Sequence, residues 1–340
     1  MKLLRRQFLH LAAGAAAFPA VLRFAGAQTA RSGPTTVNML HLGAVGLSAI
    51  VLLIAQRHGF FKNHGLDVRL VAVTGTQIPD LTDTHPVGHI GAPAAILKAA
   101  RGSELRIVAS LDSGRLFNQL VVNPTIKRPE DLQGKRLGAR VAGAALWIHT
   151  VLALEKLGLD PTRDNITILP IGDPSQVMQA LEGGRIEGAV VFGAQSRQLT
   201  AKGYSVLIDL SPFEIYGAQD ALTVTAGFLR ENPDAVEGLV AGLVEAAAFA
   251  QSAKGRSAVI ETIKAELMIV DDAAAEEGLV QLSKIIVRKP YPSLERLRNM
   301  QRIMQIADPR AIGVDVANLV DNRFVKKLDE SGFIDAAYAT

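Results

Sequence analysis

Four short loops rich in small residues carry the groups most able to bind a ligand. Each loop follows a segment with strand character and precedes one with helical periodicity. The first N–H groups of a helix lack partners within the helix and favour anions, and small residues let a ligand approach the backbone. The predicted ligand contacts from these loops are Gly46, Leu47, Ser48, Gly91, Ala92, Pro93, Gly143, Ala144, Ala145, Gly193, Ala194 and Gln195. The pattern predicts a single site for a small anion.

Arg140 is the most specific candidate, because it is a cation inside the third of these loops. A guanidinium can bind a carboxylate, sulfonate or phosphate through two parallel hydrogen bonds. An exposed ion pair is the alternative interpretation, since arginines are mostly exposed. Trp147, the only tryptophan, follows one turn into the next helix, where it either stacks over a ligand or packs in the core. Asp112 and Tyr216 lie near predicted chain crossings and complete the set of candidate contacts.

Catalytic signals are thin. The chain has no cysteine, which excludes disulfides, Cys-ligated zinc, iron–sulfur clusters and thiol nucleophiles. It contains no G-x-S-x-G, Walker, H-E-x-x-H or G-x-G-x-x-G motif. His58, His64, His85 and His89 are close in sequence but lack the spacing of metal ligands. We therefore predict a binding protein with no catalytic residue, no metal and no cofactor.

The elements that position these loops alternate between strand and helix from about residue 36 to 210, which predicts largely parallel sheets covered by helices. The pattern occurs twice, because segments starting at Leu42 and Leu137 share an opening Leu-Gly-Ala and a Gly-Leu-Asp exit. We expect two similar α/β lobes, formed by residues 28–115 with 222–340 and by residues 116–221. In such sheets ligands bind beyond the carboxyl ends of the strands.

Helices are predicted to follow the second lobe. The candidates are residues 233–252, 256–267, 272–284, 294–306 and 314–330. Pro233 is well placed to begin the first of them. Earlier in the chain, the stretch GFFKNHGLDVRL at residues 59–70 predicts a helix-to-strand corner, with Gly65 at positive φ and the phenylalanines in the core.

The N-terminus predicts an export signal. Lys2, Arg5 and Arg6 precede a weakly apolar Ala/Gly-rich segment that ends in a small-x-small pattern at Ala27, and the paired arginines are typical of the twin-arginine type. Cleavage there removes four of the 36 basic residues and leaves 32 against 33 acidic ones, a net charge of about −1. The basic pI is thus largely a property of the signal, and nucleic acid is excluded as a partner.

The order of motifs resembles the extracytoplasmic solute-binding proteins of ABC importers, in the nitrate, sulfonate, taurine and thiamine-precursor group. The motifs are GFFKNHGLDVRL, GAPAAILKAARGSELRIVAS, RPEDLQGKRLGA, ALEKLGLDP, VMQALEGGRIEGAVV and FLRENPDAV. The resemblance extends from about residue 36 to 330. It implies a type II periplasmic binding protein fold, in which two βαβ-rich lobes joined by two crossing strands close on a ligand by hinge motion.

The same resemblance implies a function. A periplasmic protein would capture a small anionic solute, such as a sulfonate, a carboxylate or nitrate, and deliver it to a permease and an ATPase, touching the membrane only through the permease. The alternative is an enzyme on the same fold, similar to pyrimidine-precursor synthases or menaquinone-pathway lyases. A sensor domain is a third reading, for which the sequence offers no attached signalling segment.

Overall fold

The computed structural model describes residues 33–41, 47–73, 78–213, 220–267 and 269–339, all within one compact unit, Gly33–Thr340. The predicted export signal at residues 1–27 lies outside the described residues, as do Gly46, Tyr216 and the side chain of Ser48.

Ten strands in the described part of the chain form two five-stranded sheets. They are β1 Thr35–His41, β2 Leu66–Ala72, β3 Val87–His89, β4 Leu105–Ser110, β5 Asn118–Val122, β6 Arg136–Ala139, β7 Thr167–Pro170, β8 Gly188–Phe192, β9 Ser205–Asp209 and β10 Ala221–Thr225. The first sheet has the order β2-β1-β3-β10-β4 and the second the order β7-β6-β8-β5-β9.

The two sheets have the same plan. In the first, β10 runs antiparallel to β3 and β4, while β1 pairs in parallel with β2 and β3. In the second, β5 holds the place of β10 and runs antiparallel to β8 and β9, while β6 pairs in parallel with β7 and β8. Four strands of each sheet therefore point the same way. This duplicated plan confirms the predicted α/β fold with two similar lobes.

Helices cover both sheets. Thirteen α-helices are described: α1 Leu47–Arg57, α2 Phe60–Asn63, α3 Gly91–Ala99, α4 Ala145–Lys156, α5 Pro174–Glu182, α6 Gly193–Ala201, α7 Ala226–Glu231, α8 Pro233–Gln251, α9 Arg256–Leu267, α10 Asp272–Ile285, α11 Leu294–Met304, α12 Arg323–Glu330 and α13 Phe333–Ala337. Two 3₁₀ helices, Pro129–Leu132 and Pro309–Gly313, lie between them.

The corner at residues 59–70 forms as predicted, with one difference. Gly65 has φ 71° and leads into β2, and Phe61 is buried with 2% of its surface exposed. The helix before it is interrupted, however, because Gly59 also adopts a positive φ of 77° and separates α1 from α2. A second left-handed glycine explains the break, since this conformation cannot continue a right-handed helix.

The predicted C-terminal helix over residues 314–330 is wrong in its first half. Only α12, from Arg323, is helical there. Before it, the chain lies along the edge of β4, where the N–H of Ile107 donates to the carbonyl of Leu319 and the carbonyl of Ile107 accepts from Asp321. These bonds satisfy backbone groups of an edge strand that would otherwise be unpaired. Pairing with the sheet therefore overrides helical propensity.

A shared apolar core joins the lobes on one side. Buried residues of α3, α4 and α11 belong to a single cluster, although α4 follows a strand of the second sheet and α3 a strand of the first. A Cβ at Gly143, just before α4, would come within 3.1 Å of Leu97 and 3.5 Å of Ala94 on α3. The loop before α4 is therefore packed closely against the other lobe.

None of the described helices combines the length and the apolar sequence that a membrane span requires. The helices α8 and α9 reach that length and apolar character only when they are counted together, and the chain bends by 102° between them.

Candidate functional site

A cavity of about 110 Å³ lies between the lobes. It opens at the carboxyl edges of both sheets, since its wall includes the last residues of β3 and β8 and the residue after β6. The described residues that line it are Leu47, Ala49, His89, Ile90, Asp112, Arg115, Leu116, Phe117, Asn118, Arg140, Gly143, Ala144, Ala145, Leu146, His149, Phe192, Asp220, Gln281 and Ile285. This is the edge at which the strand directions predict a ligand site.

Arg140 supplies a buried cation to the wall from the second lobe. It follows β6 directly, and only 6% of its surface is exposed. Burial lowers the pKa of its guanidinium, and the charge of Asp173, at the start of α5, opposes this shift. An arginine remains charged even so, because its reference pKa is far above neutral. The cavity therefore has a permanent positive charge at one wall, and an anion there would offset its desolvation.

The N-terminus of α4 lies beside Arg140. Its N-cap residue, Ala144, has no side chain able to accept a hydrogen bond from the first turn. The N–H groups of Trp147 and Ile148 donate to the carbonyl of Ala144 at 3.1 and 3.2 Å. The N–H groups of the first two helical residues, Ala145 and Leu146, are among those that a helix leaves without internal partners. Both residues line the cavity, so the helix end adds to the field that favours an anion.

Gly143 shapes the loop that brings these groups together. Its φ of 89° lies in the left-handed region, and the N–H of Ala144 donates to the carbonyl of Val141 at 3.0 Å. This turn redirects the chain from β6 into α4 within a few residues. Glycine is required here both by the backbone conformation and by the close approach of α3.

The first lobe contributes a wall that carries an imidazole and apolar side chains, in contrast to the cationic wall of the second lobe. His89, the last residue of β3, is 5% exposed, and its Nε2 lies 3.7 Å from Oδ1 of Asp220. Ile90 follows it, and Leu47 and Ala49 of α1 add apolar surface. The cavity therefore combines a cationic wall with an opposite wall that carries an imidazole and a carboxylate.

Asp112 connects the two chain segments that join the lobes. Its Oδ1 accepts a hydrogen bond from the N–H of Gly114 at 2.7 Å, and its Oδ2 accepts one from the N–H of Asp220 at 2.5 Å. The N–H of Leu111 also donates to the carbonyl of Asp220 at 2.9 Å. Asp112 lines the cavity, as the predicted ligand role requires, but its carboxylate oxygens already hold the backbone of both connections.

Seven of the thirteen predicted contacts that can be assessed lie outside the described cavity wall. The cavity wall includes Leu47, Asp112, Arg140, Gly143, Ala144 and Ala145, whereas Gly91, Ala92, Pro93, Trp147, Gly193, Ala194 and Gln195 are not among its described residues. Gly91 to Pro93 form the buried first turn of α3, and Trp147 packs in the core shared by the lobes. The side chain of Gln195 accepts a hydrogen bond from the N–H of Phe192 at 3.2 Å and so caps α6.

Several residues that line the cavity were not among the contacts predicted from the sequence. His89 ends β3 two positions before the predicted contact Gly91, and Phe192 ends β8 directly before the predicted contact Gly193. The rule that ligands bind at carboxyl ends would have found them if the strand ends had been placed correctly. His149, Gln281 and Ile285 face the cavity from helices, and no local motif marks such positions.

No cluster of three or more metal-binding side chains occurs within the part of the chain that the structure describes.

The sequence of residues 48–254 matches the profile of the NMT1/THI5 like family. The match extends over more than half of the chain. This protein belongs to the NMT1/THI5-like family. Together with the relatives described below, this match confirms the predicted resemblance to the nitrate, sulfonate, taurine and thiamine-precursor group of solute-binding proteins.

One curated relative and two solved structures show how the NMT1/THI5-like chain compares with known proteins. It is 28% identical over 164 residues to the taurine-binding periplasmic protein of Escherichia coli K12, an alignment that covers 47% of this chain and 49% of the relative. This chain therefore spans about half the length of that relative.

The two solved structures share the fold. The alkanesulfonate-binding protein SsuA from Xanthomonas axonopodis pv. citri, bound to MOPS, is 17% identical with a TM-score of 0.67, covering 86% of this chain and 99% of that one. The desulfurization enzyme DSZB is 17% identical with a TM-score of 0.59, covering 86% of this chain and 98% of that one. At such identities the likeness shows the fold alone, and one fold hosts both binding and catalysis.

Proposed function

We propose that this protein is the extracytoplasmic solute-binding component of an ABC importer and captures a small anionic solute in the cavity between its lobes. The observation that carries the proposal is the buried guanidinium of Arg140 beside the N-terminus of α4, both at the wall of that cavity. A fixed cation and a helix N-terminus at the wall of the same cavity form an anion site.

The size of the cavity restricts the solute. Pockets for drug-sized ligands measure roughly 300–1,000 Å³, and this cavity measures about 110 Å³. A sulfonate, carboxylate or inorganic anion with few non-hydrogen atoms suits that space. The names of the taurine-binding relative and of the alkanesulfonate-binding structural neighbour support the same class.

Localisation and partners belong to the same proposal. The twin-arginine export signal, cleavage after about Ala27 and a periplasmic location rest on the sequence and on the periplasmic relative. The importer's permease and ATPase are the proposed partners, and contact with the membrane is made through the permease. The lobe boundaries of 28–115 with 222–340 and of 116–221 stay predictions.

A thermal-shift screen of the mature protein tests the proposal. The panel contains short alkanesulfonates, short carboxylates, nitrate, bicarbonate and pyrimidines. A bound solute raises the melting temperature by mass action, by an amount that grows with its concentration. A concentration-dependent rise with at least one small anion is expected, and a panel that leaves the melting temperature unchanged contradicts the proposal.

The same experiment separates binding from catalysis. The fold of DSZB shows that an enzyme on this scaffold is a real alternative. After prolonged incubation with the protein, the solute that binds is recovered and analysed by mass spectrometry. We expect it unchanged, and a converted product would replace the importer proposal with an enzyme.

A further inference from the structure

His89 presents a buried polar atom that the fold does not satisfy. Its Nε2 is shielded from bulk solvent and has no hydrogen-bond partner among the described residues, although the side chain lines the cavity. Buried polar groups are nearly always hydrogen-bonded, and leaving one unpaired costs about 1–3 kcal/mol. A ligand in the cavity is the natural partner for such a group.

The groups nearest the His89 imidazole are a carboxylate and a second imidazole, and neither hydrogen-bonds its Nε2. Oδ1 of Asp220 lies 3.7 Å from Nε2, which is within the range of an ion pair but too long for a hydrogen bond. His41 lies beside His89 in the register of β1 with β3, and burial, followed by the proximity of His89, lowers the pKa of His41. The groups facing His89 are thus a carboxylate and an imidazole held towards its neutral form.

His89 and Arg140 line the same cavity from different lobes. Arg140 follows a strand of the second sheet, whereas His89 ends a strand of the first, and both line the same cavity. A solute bound to Arg140 by its anionic group therefore has His89 and Asp220 available to its remaining atoms within the same cavity.

We propose that His89 is a specificity-determining residue, whose Nε2 hydrogen-bonds a second polar group of the solute, a hydroxyl or an amine at the end remote from the anionic group. This inference rests on the proposed function and narrows it to small bifunctional anions. The carboxylate of Asp220 beside His89 favours a group that donates a hydrogen bond. A plain alkyl anion would fill the same space but leave Nε2 unsatisfied.

Calorimetric titration of two matched solute series tests the inference. The sulfonates are ethanesulfonate, 2-hydroxyethanesulfonate and 2-aminoethanesulfonate, and the carboxylates are propanoate, 3-hydroxypropanoate and 3-aminopropanoate. Each is titrated into the wild-type protein, His89→Leu, His89→Gln and the control His58→Gln, since His58 is exposed and outside the cavity wall. In at least one series the wild type and the control should bind a hydroxyl or amine member about tenfold or more tightly than the alkyl member.

The variants then assign the selectivity to one residue. His89→Leu should reduce the preference to about onefold without weakening the alkyl member, and His89→Gln should keep part of it because its amide can still hydrogen-bond. Melting curves of all variants identify any that fail to fold. If His89→Leu fails to fold, the selectivity of His89→Gln decides whether His89 contacts the solute.

Two results would overturn the inference, and they differ. If alkyl and substituted members bind equally to the wild type and to both His89 variants, His89 is only a structural partner of Asp220, and the anion-binding proposal survives. If neither series binds at all, the anion-binding proposal fails, and the inference fails with it.

Discussion

Arg140 is the residue on which the proposed chemistry depends most. It is buried at the cavity wall, where the charge of Asp173 acts on its guanidinium and where an anionic solute could approach it. Truncating a buried partner of a hydrogen-bonded charge pair typically costs about 2–5 kcal/mol. Arg140→Ala should therefore weaken solute binding by well over tenfold in calorimetry, and Arg140→Lys should recover part of the affinity through its charge alone.

The control for this prediction is Arg185→Ala, which removes an equal charge from an exposed turn of the same lobe. It should leave the dissociation constant unchanged. Equal affinity of Arg140→Ala and the wild type would remove Arg140 from the binding site.

Asp308 controls acid stability rather than binding. Its carboxylate is buried and accepts hydrogen bonds from Nε and Nη2 of Arg310 at 2.9 and 2.8 Å and from Arg101 at 3.4 Å. The bonds from Arg310 hold the pKa of Asp308 well below its usual value. Because the folded-state pKa is below the unfolded one, its stabilisation is complete above about pH 4 and is lost as the pH falls further.

Urea denaturation at pH 6 and pH 3 measures this contribution. At pH 6, Asp308→Asn should have a lower free energy of unfolding than the wild type. At pH 3, the difference in this free energy between the two proteins should be smaller. A difference that is the same at both pH values would show that Asp308 does not titrate differently in the folded and unfolded states.

For single residues, the sequence indicates which side chains carry charge, but it does not show which way a helical side chain points. Arg140 was a candidate because it is a cation in a loop between a strand and a helix, and it lies buried at the cavity wall rather than in an exposed ion pair. For Trp147 the sequence left both a ligand contact and core packing open, and in α4 the indole packs in the shared core while His149 faces the cavity. The direction of a helical side chain depends on where the helix packs, and no single-residue signal carries that information.

Among the elements, the loop before α4 packs closely against the helix α3 of the other lobe. Gly143 combines a left-handed φ of 89° with a neighbour, Leu97, 3.1 Å from the position of a Cβ. Gly158 has a similar φ of 75° but nothing within 4 Å. Alanine at either site pays the conformational cost of about 1–2 kcal/mol. Only Gly143→Ala should also weaken solute binding, because it forces the lobes apart.

Melting curves and titrations of both variants measure the two effects separately. If Gly143→Ala and Gly158→Ala lose the same stability and Gly143→Ala binds the solute as tightly as the wild type, the close contact between Gly143 and α3 has no role in binding.

The two connections between the lobes are the element that Asp112 holds in place. An asparagine has one acceptor oxygen where the carboxylate has two, so Asp112→Asn would place an N–H₂ group against the N–H of Gly114 or of Asp220. An unsatisfied buried donor costs about 1–3 kcal/mol. The free energy of unfolding, measured in urea, should fall by that amount, and the exposed control Asp83→Asn should not change it. A stable Asp112→Asn variant would contradict the structural role.

Prediction of the elements succeeded where local pattern and tertiary packing agree. The predicted helices over 256–267 and 272–284 correspond to α9 and α10, and the predicted 233–252 corresponds to α8. The failure at 314–322 comes from backbone pairing with β4, which is distant in sequence. Such contacts cannot be read from the periodicity of the segment itself.

At the scale of the whole molecule, the lobes are held together mainly by apolar contact. Arg302 forms two bonds with Glu155, at 2.5 and 3.1 Å, and Arg197 lies 3.0 Å from Glu277. These pairs are partly exposed and each contributes about 0–1 kcal/mol. The buried side chains of α3, α4 and α11 remove far more surface from water. Packing between α3 and the start of α4 therefore holds the two lobes together beside the cavity.

A crystal structure of the mature protein, grown with a saturating concentration of the solute that stabilises it most, would show whether that solute occupies the cavity. We expect density for the unaltered solute in the cavity between the sheets, with its anionic group within hydrogen-bonding distance of Arg140 and the first turn of α4. Density for the solute elsewhere on the protein, with the cavity occupied only by water, would contradict it.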